Sequence, residues 1–286
     1  MAAGFKRSLT ECRVGVIGLG LMGGSLALAL RAHCASLSGY DVDHGALDQA
    51  LARGLIDRPL ELRGDQVDVL ILAAPVSGIL DWLARVPTVF SGQFHLIDLG
   101  STKAQIVAAM QALPDRISPL GGHPMCGKET AGLKAADANL YRHCLFALTP
   151  LARTHAMTLD VAQQLIDVLS ARPLRLDPER HDRLAAAISH VPYLTSVALV
   201  EAARRVDDEA VWTLAAAGFR DSTRLAASEV TMLLDILLSN RAGVLENLAR
   251  VQTALQTLAD CIGRGDRAAL RSMLDAARER RSTLFV

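Results

Sequence analysis

The chain has no excess of either charge. Lys+Arg and Asp+Glu both number 30 in 286 residues, so the net charge at pH 7 is zero. Such a balance gives no attraction for nucleic acid or an anionic membrane, and a small-molecule partner is expected instead. Cysteine is sparse. The five present, Cys12, Cys34, Cys126, Cys144 and Cys261, are odd in number and lack C-x-x-C spacing, which argues against a disulfide framework and for reduced, mostly packed thiols. The eight histidines form no H-x-x-x-H pair and no Cys/His cluster, so no metal site is expected. The first 13 residues carry Lys6, Arg7 and Glu11 in place of an apolar targeting segment, and residues 69–80, the longest apolar stretch, fall short of a bilayer's thickness. A cytoplasmic location is the expectation. Internal repeats, low-complexity tracts and an appended regulatory segment of βαββαβ character are likewise not seen.

What is present is a chain 51% apolar and long enough for two domains of roughly 100–200 residues. Short apolar runs at residues 13–17, 37–41, 68–74, 95–99, 117–121, 144–148 and 173–176 alternate with helical patterns near 22–33, 44–53, 77–85, 102–113 and 157–170. That alternation predicts an α/β fold with a parallel sheet and crossover helices over residues 1–176. The pattern then changes. Asp177-Pro178-Glu179 is a helix start with an Asp cap and Pro at the first helical position, and residues 177–286 show no strand-like run. This second domain is expected to be all helical and, being rich in Leu and Ala, to bury one face against a second subunit.

The first strand runs into Gly18-Leu19-Gly20-Leu21-Met22-Gly23, which opens a helix. In a G-x-G-x-x-G turn the first glycine allows the tight bend, the second admits a pyrophosphate, and the third lets helix and strand pack. The phosphates then sit on the helix's positive N-terminal end, beside Leu21 and Met22. Asp41 follows Gly20 by 21 residues, at the end of the second strand, where an acid hydrogen-bonds an adenosine ribose. No arginine follows in Val42-Asp43-His44 to meet a 2′-phosphate, so NAD is the expected cofactor. Ala74 and Pro75, after the third strand, are assigned to the same cofactor site.

Further candidates stand at strand ends or helix breaks. In Asp98-Leu99-Gly100-Ser101-Thr102-Lys103, Ser101 falls at the carboxyl end of the sheet, either facing a ligand or capping the next helix. Gly121-Gly122-His123-Pro124-Met125-Cys126-Gly127-Lys128-Glu129 aims His123 at the same edge. Cys126 reads as packing, and Glu129 either pairs with Lys128 or caps a helix. Ser189-His190-Val191-Pro192-Tyr193 interrupts the helix begun at Pro178, since proline removes a backbone bond. In Gly218-Phe219-Arg220-Asp221-Ser222-Thr223-Arg224, Arg224 is a candidate carboxylate clamp, while Arg220 can be a solvated partner of Asp221.

These motifs, in this order and over nearly the whole chain, resemble the prephenate/arogenate dehydrogenase family of tyrosine biosynthesis. The resemblance implies an N-terminal Rossmann domain, a helical C-terminal dimerisation domain as in 6-phosphogluconate-dehydrogenase-like proteins, and NAD-dependent oxidative decarboxylation of a cyclohexadienol. It also implies that His123 takes the proton of the substrate's ring hydroxyl, with Ser101 hydrogen-bonding near His123 and the nicotinamide. Arg224 would hold a substrate carboxylate, and Lys128, His190 and Tyr193 would line the substrate site. The chain departs from many prephenate-preferring members, with Tyr193 in place of the last His of S-H-L-P-H and Met232-Leu233 in place of Met-Trp. A tyrosyl hydroxyl can both donate and accept, so prephenate and arogenate are both expected to turn over. An arogenate-specific enzyme is one alternative. Another hydroxyacid dehydrogenase of the 6-phosphogluconate-like group is less well supported, because residues 178–205 contain no lysine. A non-catalytic nucleotide sensor would have no use for His123, Ser101 and Arg224 together.

Overall fold

A computed structural model describes residues 5–128 and 130–284. Its first part is a single sheet built from β1 (Arg13–Ile17), β2 (Ser36–Tyr40), β3 (Arg58–Pro59), β4 (Val69–Leu72), β5 (Phe94–Asp98), β6 (Ile117–Pro124), β7 (Leu145–Pro150) and β8 (Arg172–Arg175). The order across the sheet is β3-β2-β1-β4-β5-β6-β7-β8. Helices α1 (Leu21–Leu30), α2 (His44–Ala52), α3 (Val76–Val89), α4 (Ala104–Gln111) and α5 (Ala156–Val168) cover its two faces. Side chains alternate across a strand. Accordingly Val69 and Ile71 of β4 enter the core beneath α1 and α5, whereas Leu70 and Leu72 enter the one beneath α3 and α4.

The sheet departs from the expected all-parallel pattern at one junction, where β6 and β7 pair antiparallel. A parallel pair needs a crossover, usually a helix. Among its described residues the connection here holds only a short 3₁₀ turn, Leu133–Ala135, and packs against the start of α1: Asp137 N–H donates to Ser25 Oγ at 2.9 Å. The two-residue β3 is an edge strand that the sequence pattern missed; both of its residues are exposed and one is proline.

The second part is helical: α6 (Pro178–Ala185), α7 (Val191–Arg204), α8 (Ala210–Leu214), α9 (Ala217–Thr223), α10 (Val230–Ser239), α11 (Arg241–Gly263) and α12 (Arg267–Ser282). Asp177 caps α6, accepting from Arg180 N–H at 3.0 Å. The break before Pro192 is a π turn, Ala186–His190, in which Val191 N–H reaches back to the carbonyl of Ala186. Helices α6 and α7 form one continuous segment, Pro178–Arg204, long and apolar enough by length and composition to cross a membrane, with 28% of its most apolar stretch buried. The sequence expectation counted uninterrupted apolar runs and so missed it. Ile188 and Leu199 on this segment are exposed, as are Leu238 on α10 and Leu255 and Ile262 on α11.

Candidate active site

The glycine turn between β1 and α1 has the geometry of a phosphate cradle. Gly18 has φ +92°, and a Cβ on it would lie 2.5 Å from the carbonyl oxygen of Ala73. A Cβ on Gly23 would lie 1.8 Å from the oxygen of Gly18, so only glycine fits at either place. Gly20 is different: nothing stands within 4 Å of its absent side chain, and no side chain caps the helix it begins. Open space in front of uncapped N–H groups at a positive helix end suits a pyrophosphate. Strands β1 and β4 are neighbours and feed α1 and α3 on opposite faces, which makes a crevice at this point of the sheet. Ala74 and Pro75 stand at its rim, Pro75 capping α3. Asp41 accepts from Leu19 N–H at 2.6 Å and from Asp43 N–H at 2.9 Å, tying the glycine turn to the end of β2. Tyr141, fully buried, donates its phenol to the Met22 carbonyl at 2.6 Å and steadies the first turn of α1. The sequence pattern gave no sign of Tyr141.

Below the crevice lies a buried ion pair between Asp98 and Lys103, both fully enclosed. Asp98 also accepts from the N–H groups of Gly100 at 2.8 Å and Gly122 at 3.1 Å, while Lys103 donates to the Gly122 carbonyl at 2.6 Å. Burial pushes the carboxyl up and the ammonium down. The pair joins the end of β5 to the residue before His123, and so fixes His123 in the crevice. Ser101 is half-buried on the same turn, and among the described residues its hydroxyl bonds no protein group. Thr102 Oγ1 meets Ser239 Oγ at 2.9 Å instead, tying this turn to the end of α10.

His123 Nδ1 stands 2.9 Å from Nε2 of His181 on α6, and His181 Nδ1 stands 2.8 Å from Oδ1 of Asp182. Asp182 accepts two more bonds, from Lys103 N–H at 2.7 Å and Ala104 N–H at 2.9 Å, so it caps α4 as a carboxylate. A carboxylate in this role only accepts, so His181 Nδ1 must donate to it. With a single proton on each ring, His181 accepts at Nε2, His123 donates from Nδ1, and among the described residues no group bonds His123 Nε2. Burial, with His181, Lys103 and His190 nearby, holds His123 well below the usual imidazole range, hence neutral at pH 7. Sequence reasoning missed His181 and Asp182. Their only trace is a His-Asp step in the first turns of a capped helix.

The remaining candidates fall in different settings. His190 is 2% exposed, and its Nδ1 meets Asn240 Nδ2 at 3.2 Å, while the same amide donates to the Asp182 carbonyl at 2.7 Å. His190 is thus enclosed beside the pair at 181–182. Tyr193 is half-buried one turn further along α7. Ser196, three residues beyond it, accepts from Ala226 N–H at 3.2 Å and donates to Ser222 O at 3.1 Å, clamping the turn Arg224–Ala227 onto the same helix face. Arg224 is exposed there. Arg220 pairs with Asp221 at 3.3 Å on the surface. Lys128 pairs with Asp137 at 3.1 Å within its own loop. Glu129 lies outside the described residues.

The family model described as "Prephenate dehydrogenase, nucleotide-binding domain" matches residues 26–174, and the one described as "Prephenate dehydrogenase, dimerization domain" matches residues 177–276. This chain belongs to the prephenate dehydrogenase family. Among prephenate dehydrogenases, that of Lactococcus lactis is 32% identical over 282 residues, covering 95% of this chain and 77% of that protein. Cyclohexadienyl dehydrogenase of Zymomonas mobilis is 29% identical, covering 88% and 89%. Prephenate dehydrogenase from A. aeolicus, solved in complex with hydroxyphenyl propionate and NAD+, superposes with TM-score 0.90 at 27% identity, covering 96% and 99%. Synechocystis arogenate dehydrogenase superposes with TM-score 0.81 at 27% identity, covering 94% and 99%.

Proposed function

We propose that this chain catalyses the NAD-dependent oxidative decarboxylation of prephenate and accepts arogenate as well. The observation that carries this reading is the chain from Asp182 through His181 to His123, which leaves one neutral imidazole nitrogen, Nε2, unpaired at the cofactor crevice. The cradle from Gly18 to Gly23 and the carboxylate of Asp41 would hold the dinucleotide, with Ala74, Pro75 and Ser101 beside it. When bound, NAD supplies the acceptor for a hydride from the ring carbon bearing the hydroxyl. His123 Nε2 takes the hydroxyl proton, a role suited to a neutral imidazole. The Asp182 carboxylate favours the charge that His123 and His181 then share. Loss of the ring carboxylate as carbon dioxide makes the product aromatic, so the protein's task is to position two partners and bind carboxylate charge. Arg224 is assigned the carboxylate by its fork of donors. Tyr193 faces the side-chain keto or ammonium group, and Lys128 stands at the edge of the pocket.

The working form is a homodimer joined through the C-terminal helices. Leu238, Leu255 and Ile262 are 59–69% exposed on one chain, a poor arrangement in water unless a second copy covers them. The test of the activity is direct: the purified protein is given NAD with prephenate or arogenate, and reduced nicotinamide and the phenolic product are measured together. A phenolic product formed in step with nicotinamide reduction is expected; neither substrate giving one would overturn the reading.

A further inference from the structure

The β6–β7 ladder places His123 opposite Ala147 and Pro124 opposite Phe146. It continues beyond the strand end, because Met125 N–H donates to the Leu145 carbonyl at 2.8 Å. Carried one place further, the same register pairs Cys126 with Cys144. The Met125–Leu145 place is hydrogen-bonded, so the next is a non-hydrogen-bonded place, where facing Cα atoms come within about 4.5 Å. Both cysteine N–H groups indeed turn away from the ladder, Cys126 to Pro124 O at 2.9 Å and Cys144 to Tyr141 O at 3.1 Å. A place of that spacing lies inside the roughly 4.4–6.8 Å range that a disulfide bridges without moving the backbone.

We propose that Cys126 and Cys144 form a dithiol that an external low-molecular-weight disulfide converts reversibly into a disulfide at the lip of the cofactor crevice. Both thiols are free and half-buried in the same apolar cluster as Met22 and Leu140. Each thiol shifts the other, Cys126 up and Cys144 down, and Arg172 adds to the lowering of Cys144. Cys144 is thus the nucleophile and Cys126 the resolving thiol. The Cys144 thiolate attacks one sulfur of the external disulfide, forming a mixed disulfide and releasing one thiolate. Cys126 then loses its proton to solvent, and its sulfur displaces the second thiolate. The protein loses two electrons and two protons, and the external disulfide becomes two thiols. The link closes the base of the connection that carries Lys128 and Tyr141, and so joins the strand of His123 to the residue that steadies α1.

The experiment incubates the reduced full-length protein with oxidised glutathione and then counts thiols after denaturation. The five cysteines should leave three titratable thiols, with a single-chain mass loss of ~2 Da, a 126–144 peptide link, and full recovery in dithiothreitol. In C126S the reaction should stop at a glutathione adduct on Cys144, and C144S should form an adduct at least ~10-fold more slowly than C126S. Five persisting thiols, a link between other cysteines or between two chains, or faster adduct formation in C144S would overturn the proposal.

Discussion

Every residue of β4 and β5 is buried, whereas α8, α9 and α12 have no buried residue at all. The sheet domain closes its own two cores around strands that alternate side chains between faces. The helical domain ends in two long helices on which Leu255, Ile262 and Leu274 are left exposed within one chain. Where each domain gets its burial therefore differs, and so does what it contributes to the site. The glycine cradle and His123, the proposed base, stand on the sheet edge. Arg224 and Tyr193, proposed to bind the carboxylate and sort substrates, stand on the helical half, the one proposed to meet a second copy.

The largest effect that separates the two halves is expected from His123→Asn. It should lower kcat by roughly a hundredfold or more while leaving the NAD dissociation constant within about twofold, since it removes the proton acceptor and not the cradle. Near-normal turnover would move the base elsewhere, with His181 the next residue in the chain of bonds. Arg224→Ala should act on the other half, raising KM by about 10–150-fold with little change in kcat, the equivalent of about 1.5–3 kcal/mol for a charge-assisted bond. A fall in kcat with KM unchanged would remove Arg224 from substrate binding.

The seam between the halves should report through pH. Burial pulls His190 down to about 4, against about 6.5 for an exposed imidazole. Protons bind the unfolded chain at this site from about pH 6.5 downward and the folded chain only from about pH 4, so stability is full above 6.5 and falls across that window. Between pH 7.5 and 5 the loss from His190 alone is about 2 kcal/mol. Denaturant midpoints at the two pH values, in the wild type and in His190→Gln, measure it. An unchanged slope in the variant would assign the loss to other groups.

Smaller effects test specificity. Steady-state kinetics should favour NAD over NADP by about tenfold or more, roughly 1.4 kcal/mol, because Asp41 presents a carboxylate where NADP carries a phosphate. Equal efficiencies would break that assignment. Tyr193→His should change the ratio of kcat/KM for prephenate and arogenate by more than about threefold, roughly 0.7 kcal/mol, since a protonated imidazole repels an ammonium that a phenol can accept from. A ratio unmoved by the substitution would leave discrimination to another residue.

Much of this molecule could be read in its order of residues. Gly18 and Gly23 announced a turn because a positive φ at the first and a close backbone oxygen at the second leave glycine no substitute. The strands showed as apolar runs because a parallel sheet is buried on both faces. What stayed hidden were contacts with no local signature. His181 and Asp182 lie 58 and 59 residues from His123 along the chain and meet it only when α6 packs across α4. Tyr141 reaches Met22 across 119 residues. The reversal at β7 was unreadable for another reason: its residues have the same apolar run whichever way the strand points. His190 stood out beside a helix break, and a histidine there looks the same in sequence whether it faces substrate or is enclosed.

The carboxylate of Asp182 has a further consequence, for traffic. It belongs to the helical domain, yet two of the bonds it accepts come from the N–H groups of Lys103 and Ala104 in the sheet domain. Parting the domains would break both, at about 1.5–3 kcal/mol each, and would strip the cap from α4 as well. An opened form is then held to roughly one molecule in a hundred or fewer. Cofactor and product must come and go through the mouth of a crevice whose width is fixed, and the pace of turnover is set by passage through that mouth or by the chemistry within it.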